Sequence, residues 1–171
     1  ASITNTKPVS CFGGNDGAII VSATGGTIPY SYAWAPVSGN SNVLTGLPIG
    51  NYYVTITDAN GCMDSIMSTI TEPPLLTATI IDSIDILCNG GTNGSATVLG
   101  NGGIPPYSYT WNTNPPQYSN MATNLAAGTY IVTLADANNC LAYDTVTLNE
   151  PPALSITTTI KNENCKNYCN G

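Results

Sequence analysis

Residues 25–34 read Gly-Gly-Thr-Ile-Pro-Tyr-Ser-Tyr-Ala-Trp, and residues 102–111 read Gly-Gly-Ile-Pro-Pro-Tyr-Ser-Tyr-Thr-Trp. After each glycine pair, aromatic residues alternate with small ones, so that two Tyr and one Trp would project from the same face of a β-strand. Each stretch therefore predicts a strand that turns one aromatic face toward the core of a β domain.

The two copies extend far beyond this stretch. Cys11 and Gly17 recur 77 positions later as Cys88 and Gly94. After a one-residue insertion the spacing becomes 78, and these residues of the first copy recur in the second: Leu47, Gly50, Tyr52, Asp58, Asn60, Cys62, Glu72, Pro73 and Pro74. Such a period indicates tandem copies of one structural unit. We predict repeats at residues 1–74 and 75–152, then the first strand and loop of a third at 153–171, within a longer protein.

Short alternating runs separated by Gly, Pro, Asn and Asp predict β-strands and no helix. Pro8 places the first run at a sheet edge, because proline cannot donate a hydrogen bond to a neighbouring strand. In the first copy we expect strands at residues 2–9, 18–24, 30–35, 42–44, 51–57 and 63–71.

Two features favour a sandwich of two sheets over a barrel. Trp34 and Trp111 lie mid-strand, where immunoglobulin-like sandwiches keep a core Trp. Leu-x-x-Gly-x-Tyr precedes Asn-rich turns in both copies and predicts a tyrosine corner at Tyr52 and Tyr130. We expect an all-β fold with tandem immunoglobulin-like β-sandwich modules arranged end to end, and these four aromatic residues in its cores.

The charge of the chain is low and one-sided. Its 171 residues include three Lys, ten acidic residues and no Arg or His, for a formal net charge of −7 at pH 7. Nucleic acid and anionic membrane surfaces would be repelled. The lack of His removes the commonest metal ligand and the usual proton shuttle. No apolar run reaches about 20 residues, so we expect no membrane insertion of this segment.

No catalytic arrangement is recognisable in the sequence. The carboxylates that recur lie in a predicted turn (Asp58, Asp136) and at a repeat boundary (Glu72, Glu150) rather than across a cleft. Ser and Thr have no His to activate them. We therefore expect no enzyme, no catalytic residue and no cofactor-binding residue.

The motifs taken together resemble a known repeat. Residues 11–17 (Cys-Phe-Gly-Gly-Asn-Asp-Gly), 25–34, 47–52 and 57–62 (Thr-Asp-Ala-Asn-Gly-Cys) are similar to the SprB-type repeat of Bacteroidota cell-surface proteins. Asn139 stands where the turn Gly is usual. The resemblance implies an extracellular, cell-surface location reached by type IX secretion through the outer membrane, in large gliding-motility adhesins and related proteins. It implies architecture and location, and no ligand.

Six cysteines in an acidic tandem β protein predict disulfides formed in an oxidising compartment: Cys11, Cys62, Cys88, Cys140, Cys165 and Cys169. We expect pairs within each copy, Cys11 with Cys62 and Cys88 with Cys140, because paired motif residues often belong to one domain. A plain sandwich would separate these positions by about 30 Å, far beyond the ~7 Å that a disulfide allows between Cα atoms. A hairpin at the Pro-Pro segment would instead join Cys62 to Cys88 and Cys140 to Cys165, and end-to-end stacking would bring Cys11 to Cys140.

Calcium is the only metal that these residues could hold, through hard oxygen ligands. Candidates are Asp58 and Asn60 in the first copy, and at a stacked joint Asp16, Glu72, Asp136 and Asn138. A turn Asp that caps its own backbone explains the same pattern without an ion. We prefer the turn interpretation and expect no cofactor.

Three Asp-Ser/Thr-aliphatic triplets match the O-glycan acceptor motif of the resembling proteins, and their candidate acceptors are Ser65, Ser83 and Thr145. If Ile66 and Val146 face the core, the two-residue alternation of a strand turns Ser65 and Thr145 outward, as an attached sugar requires.

The function that we predict is a structural and adhesive repeat segment of a large extracellular protein, a stalk or adhesin fibre for gliding or surface attachment. Its expected partners are neighbouring copies of the same repeat and a surface polysaccharide or glycan. One alternative is a carbohydrate-binding accessory module of a secreted protein, with Tyr53, Tyr118 or Tyr168 against the sugar. Another is a self-assembling filament subunit that adds residues 154–164 as a strand to a neighbouring chain.

Overall fold

A computed structural model describes residues 1–159, which form twelve β-strands and no helix. The first six are β1 (Ser2–Lys7), β2 (Gly17–Ser22), β3 (Ser31–Ala35), β4 (Val43–Leu47), β5 (Gly50–Thr57) and β6 (Met63–Ile70). The second six are β7 (Thr77–Ile84), β8 (Gly94–Asn101), β9 (Ser108–Trp111), β10 (Met121–Leu125), β11 (Gly128–Ala135) and β12 (Leu141–Leu148). Pro73 and Pro74 lie between the two sets.

Each set of strands folds as two three-stranded antiparallel sheets. The orders are β1-β2-β4 and β3-β5-β6 in the first set, and β7-β8-β10 and β9-β11-β12 in the second. The chain leaves the first sheet after β2, returns to it at β4, and then joins β3 through β5. This Greek-key path, with strands A, B and E facing C, F and G, is an immunoglobulin-like sandwich that lacks strand D. The all-β fold of tandem sandwiches predicted from the sequence is confirmed.

The core of each sandwich is formed by alternate residues of the facing sheets around one indole. Trp111 is fully buried and Trp34 is 7% exposed. The Nε1 of Trp34 donates to the carbonyl of Ser41 (2.8 Å), and that of Trp111 to the carbonyl of Ser119 (2.9 Å). Buried aliphatic residues surround each ring: Val9, Ile19, Val21, Leu47, Val54, Ile56 and Ile70 in the first core, and Ile86, Val98, Leu125, Val132, Val146 and Leu148 in the second.

A tyrosine hydroxyl fixes the turn that enters β5 and β11. The Oη of Tyr52 donates to the carbonyl of Pro48 (2.9 Å), and the Oη of Tyr130 to the carbonyl of Ala126 (3.0 Å). Tyr52 is buried and Tyr130 half-buried. This is the hydrogen bond of a tyrosine corner, four residues back along the chain.

Two of the differences in extent between the predicted and observed strands have a clear structural cause. β1 ends before Pro8 at a sheet edge, and the chain then switches partner, because the N–H of Val9 donates to the carbonyl of Thr71 beside β6 (2.9 Å). β4 covers Val43–Leu47 rather than 42–44, since its pairing with β2 continues to Leu47 opposite Gly17. Backbone pairing with a distant strand sets that length, and side-chain alternation within β4 does not report it.

Candidate functional site at the joint between the repeats

The joint is the place where the loop between β1 and β2 (residues 8–16) meets the turn between β11 and β12 (136–140). The Nδ2 of Asn138 donates to the carbonyl of Ser10 across it (2.8 Å). The linker residues 72–76 run beside this contact. The two small sandwiches therefore meet end to end.

A disulfide between Cys11 and Cys140 crosses the joint, with Cα atoms 5.7 Å apart. The pairs expected within each copy, Cys11–Cys62 and Cys88–Cys140, are wrong. The reason is geometric: β5 and β6 pair along eight residues each, so the turn that carries Cys62 lies at the far end of the sandwich from Cys11. Of the three pairings considered from the sequence, the one that end-to-end stacking requires is present.

The hairpin pairing is also wrong, because Cys140 is already bonded to Cys11 and Cys62 is not bonded to Cys88. Within residues 1–159, Cys62 and Cys88 are exposed and bonded to no other cysteine. Cys165 and Cys169 lie outside the described residues.

Asp16 organises the loop that carries Cys11. Its carboxylate accepts hydrogen bonds from the Lys7 ammonium (2.7 Å), the Ser10 N–H (2.8 Å) and the Ser10 hydroxyl (2.5 Å). The Lys7 hydrogen bond, followed by those of Ser10, holds the pKa of Asp16 well below its usual range. Both members of the Lys7–Asp16 pair are about half exposed, so water screens their attraction. The carboxylate acts mainly as a clamp that fixes the Ser10 carbonyl toward Asn138.

Asp136 organises the opposing turn that carries Cys140. Its Oδ1 accepts the N–H groups of Asn138 (2.8 Å) and Cys140 (2.9 Å), and its Oδ2 accepts the N–H of Ile104 (2.9 Å). Burial acts to raise the pKa of Asp136, but the three N–H donors together leave it below the ordinary value. Asn139 takes the left-handed backbone at φ +61°, which Asn tolerates better than most residues.

The corresponding turn of the first repeat has the same design. Asp58 accepts the N–H groups of Thr27, Asn60 and Cys62 at 2.8–2.9 Å, and the Thr27 hydrogen bond is the largest cause of its lowered pKa. Each carboxylate also needs a glycine beside it. A Cβ on Gly26 or Gly103 would lie 2.8 or 2.6 Å from the neighbouring carboxylate oxygen, and both glycines have positive φ.

The linker packs onto the second sandwich rather than hanging free. The N–H of Gly103 donates to the carbonyl of Pro74 (2.9 Å), and the side chain of Leu76 is only 7% exposed. A Cβ on Gly102 would lie 1.9 Å from the carbonyl oxygen of Leu75, so only glycine allows this approach. The linker therefore packs against the loop that contains the Gly-Gly pair.

A glutamate before each Pro-Pro segment holds the loop with the Cys. Glu72 Oε2 accepts the N–H of Gly13 (2.7 Å), and Glu150 Oε2 accepts the N–H of Gly90 (2.6 Å). Asn89 Nδ2 adds a hydrogen bond to the other oxygen of Glu150 (2.8 Å). The recurring Glu is thus a structural residue at the end of each sandwich that carries the loop between its first two strands.

The calcium candidates serve these turns and loops. Nowhere in residues 1–159 do three or more Asp, Glu, Cys or His side chains come together as a metal site would need. Asn60 donates to the Thr27 hydroxyl (2.9 Å) and Asn138 to Ser10. The carboxylates bind N–H, O–H or ammonium groups instead: Asp16, Asp58, Glu72 and Asp136.

The three glycan acceptor candidates are exposed: Ser65 on β6, Ser83 on β7 and Thr145 on β12. The neighbouring Val146 is buried and Ile66 is packed against the core. The strand alternation therefore turns the Ser65 and Thr145 hydroxyls toward solvent.

Exposed amide groups and a half-buried tyrosine line an open groove on the second sandwich, with a volume of about 530 Å³. Its lining includes Asn114, Asn124 and Tyr130. Of the tyrosines considered for sugar binding, Tyr53 and Tyr118 are exposed but do not line this groove. Tyr168 lies beyond the described residues. Sequence reasoning missed the groove because its lining comes from segments that are far apart in the chain, including the loop after β9 and the strand β10.

Sequence reasoning also missed Ser10 and Leu76 as joint residues. Ser10 acts through its backbone carbonyl, which no side-chain pattern reports. Leu76 could have been found, since a leucine recurs after both Pro-Pro pairs, as Leu76 and Leu154.

Comparison with protein families decides which repeat this is. The family model of the SprB repeat matches residues 3–39 and 81–116, two segments that begin within one residue of equivalent positions. The chain contains two SprB-type repeats. SprB repeats are a structural and adhesive type of repeat of cell-surface proteins. No curated protein sequence matches the chain.

Solved structures match the SprB repeat pair at low identity. A C-terminal 282-residue fragment of intimin, in complex with the intimin-binding domain of its translocated receptor, is 15% identical with a TM-score of 0.49, over 87% of this chain and 65% of the fragment. A Dscam structure is 15% identical with a TM-score of 0.40, over 88% of this chain and 46% of Dscam. The IG1 and IG2 domains of DIP-gamma are 14% identical with a TM-score of 0.37, over 87% and 96%. The SprB pair thus spans less than two thirds of the intimin fragment.

Helices of membrane-spanning length and hydropathy are absent from the described part of the chain.

Proposed function

We propose that the chain is a structural and adhesive segment of a large extracellular protein at the cell surface, in which SprB repeats form a stalk. The observation that carries this proposal is the Cys11–Cys140 disulfide. A covalent bond between successive domains, rather than within one, supports a fixed angle between neighbours. Repetition of such a joint adds length without flexibility.

The linker supports the same function. Pro73 and Pro74 have fixed φ and restrict the residues before them. The carbonyl of Pro74 is bonded to Gly103, and Leu76 is buried. The connection therefore belongs to the stiff class of linkers rather than to the flexible one.

Secretion through the outer membrane and a part in gliding or surface attachment extend the proposal to the whole protein. Adhesion then results from many repeats that act together on a surface polysaccharide or another glycan, where weak contacts are strengthened by multivalency. The neighbouring partner of each repeat is another copy of the same repeat.

A carbohydrate-binding accessory module is the second candidate function, and the polar groove with Asn114, Asn124 and Tyr130 favours it. A glycan array distinguishes the two. Tight binding of one glycan that is lost in Asn124→Ala would indicate a binding module.

A self-assembling filament is the third candidate, through residues 154–164. Residues 154–159 form no strand here, and residues 160–164 lie outside the described part of the chain. Electron microscopy at several concentrations separates a filament from a monomeric rod.

The stalk proposal predicts one narrow distance between the two far ends of the pair. Spin labels attached irreversibly to Cys62 and Cys88, in a Cys165→Ser/Cys169→Ser background, sit at these ends. Strands of eight residues span about 26 Å each, so with turns the labels are about 60 Å apart. Electron–electron double resonance measures this distance and its width.

The matched control is the same labelled protein with Cys11→Ser and Cys140→Ser, in which we expect the distribution to broaden severalfold. Chelation by EDTA is expected to change neither distribution, since the candidate ligands already bind protein donors. An equally broad distribution with and without the Cys11–Cys140 bond would contradict a rigid stalk.

A further inference from the structure

The two exposed cysteines occupy the same positions in their repeats as the two that are bonded. Cys62 corresponds to Cys140 in the turn before the last strand, and Cys88 corresponds to Cys11 in the loop after the first. Cys11 and Cys140 are half-buried by each other's domains, whereas Cys62 and Cys88 face solvent. Each exposed cysteine thus lies in one of the two kinds of loop that meet at the joint, without the other kind beside it.

The hydrogen bonds around Cys62 reproduce those around Cys140. The Cys62 N–H donates to Asp58 Oδ1 (2.8 Å) and its carbonyl accepts the Asp58 N–H (2.9 Å). In the bonded turn the corresponding distances to Asp136 are 2.9 and 3.1 Å. The turn of the first repeat is therefore held in the conformation that presents a cysteine to a neighbour.

The loop of Cys88 likewise reproduces that of Cys11. The Gly91 N–H donates to the Cys88 carbonyl (2.9 Å), as the Gly14 N–H does to that of Cys11 (3.0 Å). Glu150 then holds Gly90 as Glu72 holds Gly13. Both halves are built before any partner binds.

An exposed leucine side chain and an open pocket of matching position provide an independent observation. An open pocket of about 150 Å³ lies beside Cys62, with Gly25, Gly26, Tyr30 and Ile56 in its lining. At the corresponding place in the second repeat, Leu76 approaches Gly103 and is buried. Leu154 is the counterpart of Leu76 by the 78-residue spacing, and its side chain is 96% exposed.

We propose that these two ends are complementary halves of a further joint, and that the partner each one binds is another SprB repeat. The partner that we propose for each end is a second copy of this chain. In that joint Cys88 bonds to Cys62 of the following copy, and Leu154 fills the pocket beside it. This inference deepens the stalk function and rests on it.

Formation of the bond needs an oxidant, which is a disulfide such as oxidised glutathione. One cysteine thiolate attacks glutathione disulfide and releases a glutathione thiolate. The second cysteine thiolate attacks the mixed disulfide and releases the other. The two cysteines lose two protons and two electrons, one S–S bond is broken and one is formed.

The test fuses residues 1–155 of one copy to the full chain of a second copy, with Cys165→Ser and Cys169→Ser. Ser155 corresponds to Thr77 and Ala1 to Ala78, so the new linker has the natural length. After folding in a glutathione redox buffer, free thiols are alkylated and peptides are mapped without reduction. The Cys11–Cys140 bond within each copy is the internal control.

We expect Cys88 of the first copy to be bonded to Cys62 of the second, while the two outermost cysteines are alkylated. In Leu154→Asp the bonded fraction at a fixed redox ratio falls about tenfold, whereas Leu154→Met retains it. Alkylation of both inner cysteines beside an intact Cys11–Cys140 bond would overturn the proposal. That result leaves the stalk function standing, because the distance measurement above tests the existing joint separately.

Discussion

At the scale of single residues, Asp136 holds two loops of the second repeat together. Its two oxygens join the Gly-Gly loop to the turn that carries Cys140, with three N–H donors at 2.8–2.9 Å. Gly103 leaves room for the carboxylate. One buried charge thus fixes both loops that meet the first repeat.

Asp136→Ala is expected to destabilise the second repeat by about 2–4 kcal/mol, because three part-buried N–H groups lose their acceptor. Urea unfolding followed by Trp111 fluorescence, in a Trp34→Phe background, measures the change. Asp82→Ala is the matched control: Asp82 is exposed, and its substitution should cost less than about 0.5 kcal/mol. Equal effects of the two substitutions would refute the role of Asp136.

Residue patterns predict side-chain roles well and backbone roles poorly. The Asp-x-Asn turn and the Tyr of the corner could be read from residue type and spacing, because their side chains make the decisive hydrogen bonds. Ser10 acts through a carbonyl that every residue has, so its position in the joint left no trace in the sequence.

At the scale of elements, the loop between β1 and β2 depends on ionised Asp16. The pKa of Asp16 is lowered in the folded protein, as are those of Asp58 and Asp136. The unfolded chain therefore binds more protons than the folded one at acidic pH. The stabilisation is complete above the ordinary Asp pKa of about 3.9 and is lost as the pH falls below it.

We expect the unfolding free energy to fall between about pH 4.5 and pH 2.5, and to fall less steeply in Asp16→Asn. Urea titrations at a series of pH values give both slopes. Parallel curves for the two proteins would mean that the Asp16 clamp does not contribute.

Elements could be predicted where one strand's own alternation determines them. The predicted strands of the first repeat lie within two residues of β1, β2, β3, β5 and β6 at every end, and β4 is the exception. The disulfide pairing could not be predicted, because it depends on how two domains are placed and no local pattern encodes that. Strand length argues against the pairs within each copy, but the recurrence of the cysteines within one motif led us to expect those pairs, and they are wrong.

At the scale of the whole molecule, the outer surfaces of the sandwiches carry exposed hydroxyls where charge is scarce. Edge strands β6, β7 and β12 bear the three acceptor candidates. An attached glycan on such an edge would prevent its pairing with another chain.

We therefore predict O-glycans at Ser65, Ser83 and Thr145 when the protein is made in a Bacteroidota host. Intact mass should exceed the sequence mass of 17.7 kDa, and the excess should fall stepwise in the Ser65→Ala, Ser83→Ala and Thr145→Ala variants. Ser31→Ala, an exposed strand serine outside the triplets, serves as control. An unmodified mass from such a host would contradict the prediction.

The bond between Cys11 and Cys140 also determines how the segment responds to a pulling force. Load that enters at β1 reaches Cys11, passes through the disulfide to Cys140, and leaves along β12, so that it bypasses the 129-residue separation between them. At about 3.4 Å per residue, the bypass withholds roughly 440 Å of chain from extension. A tether that contains this joint therefore lengthens less under traction, once its domains have unfolded, than one whose domains are connected by the linker alone.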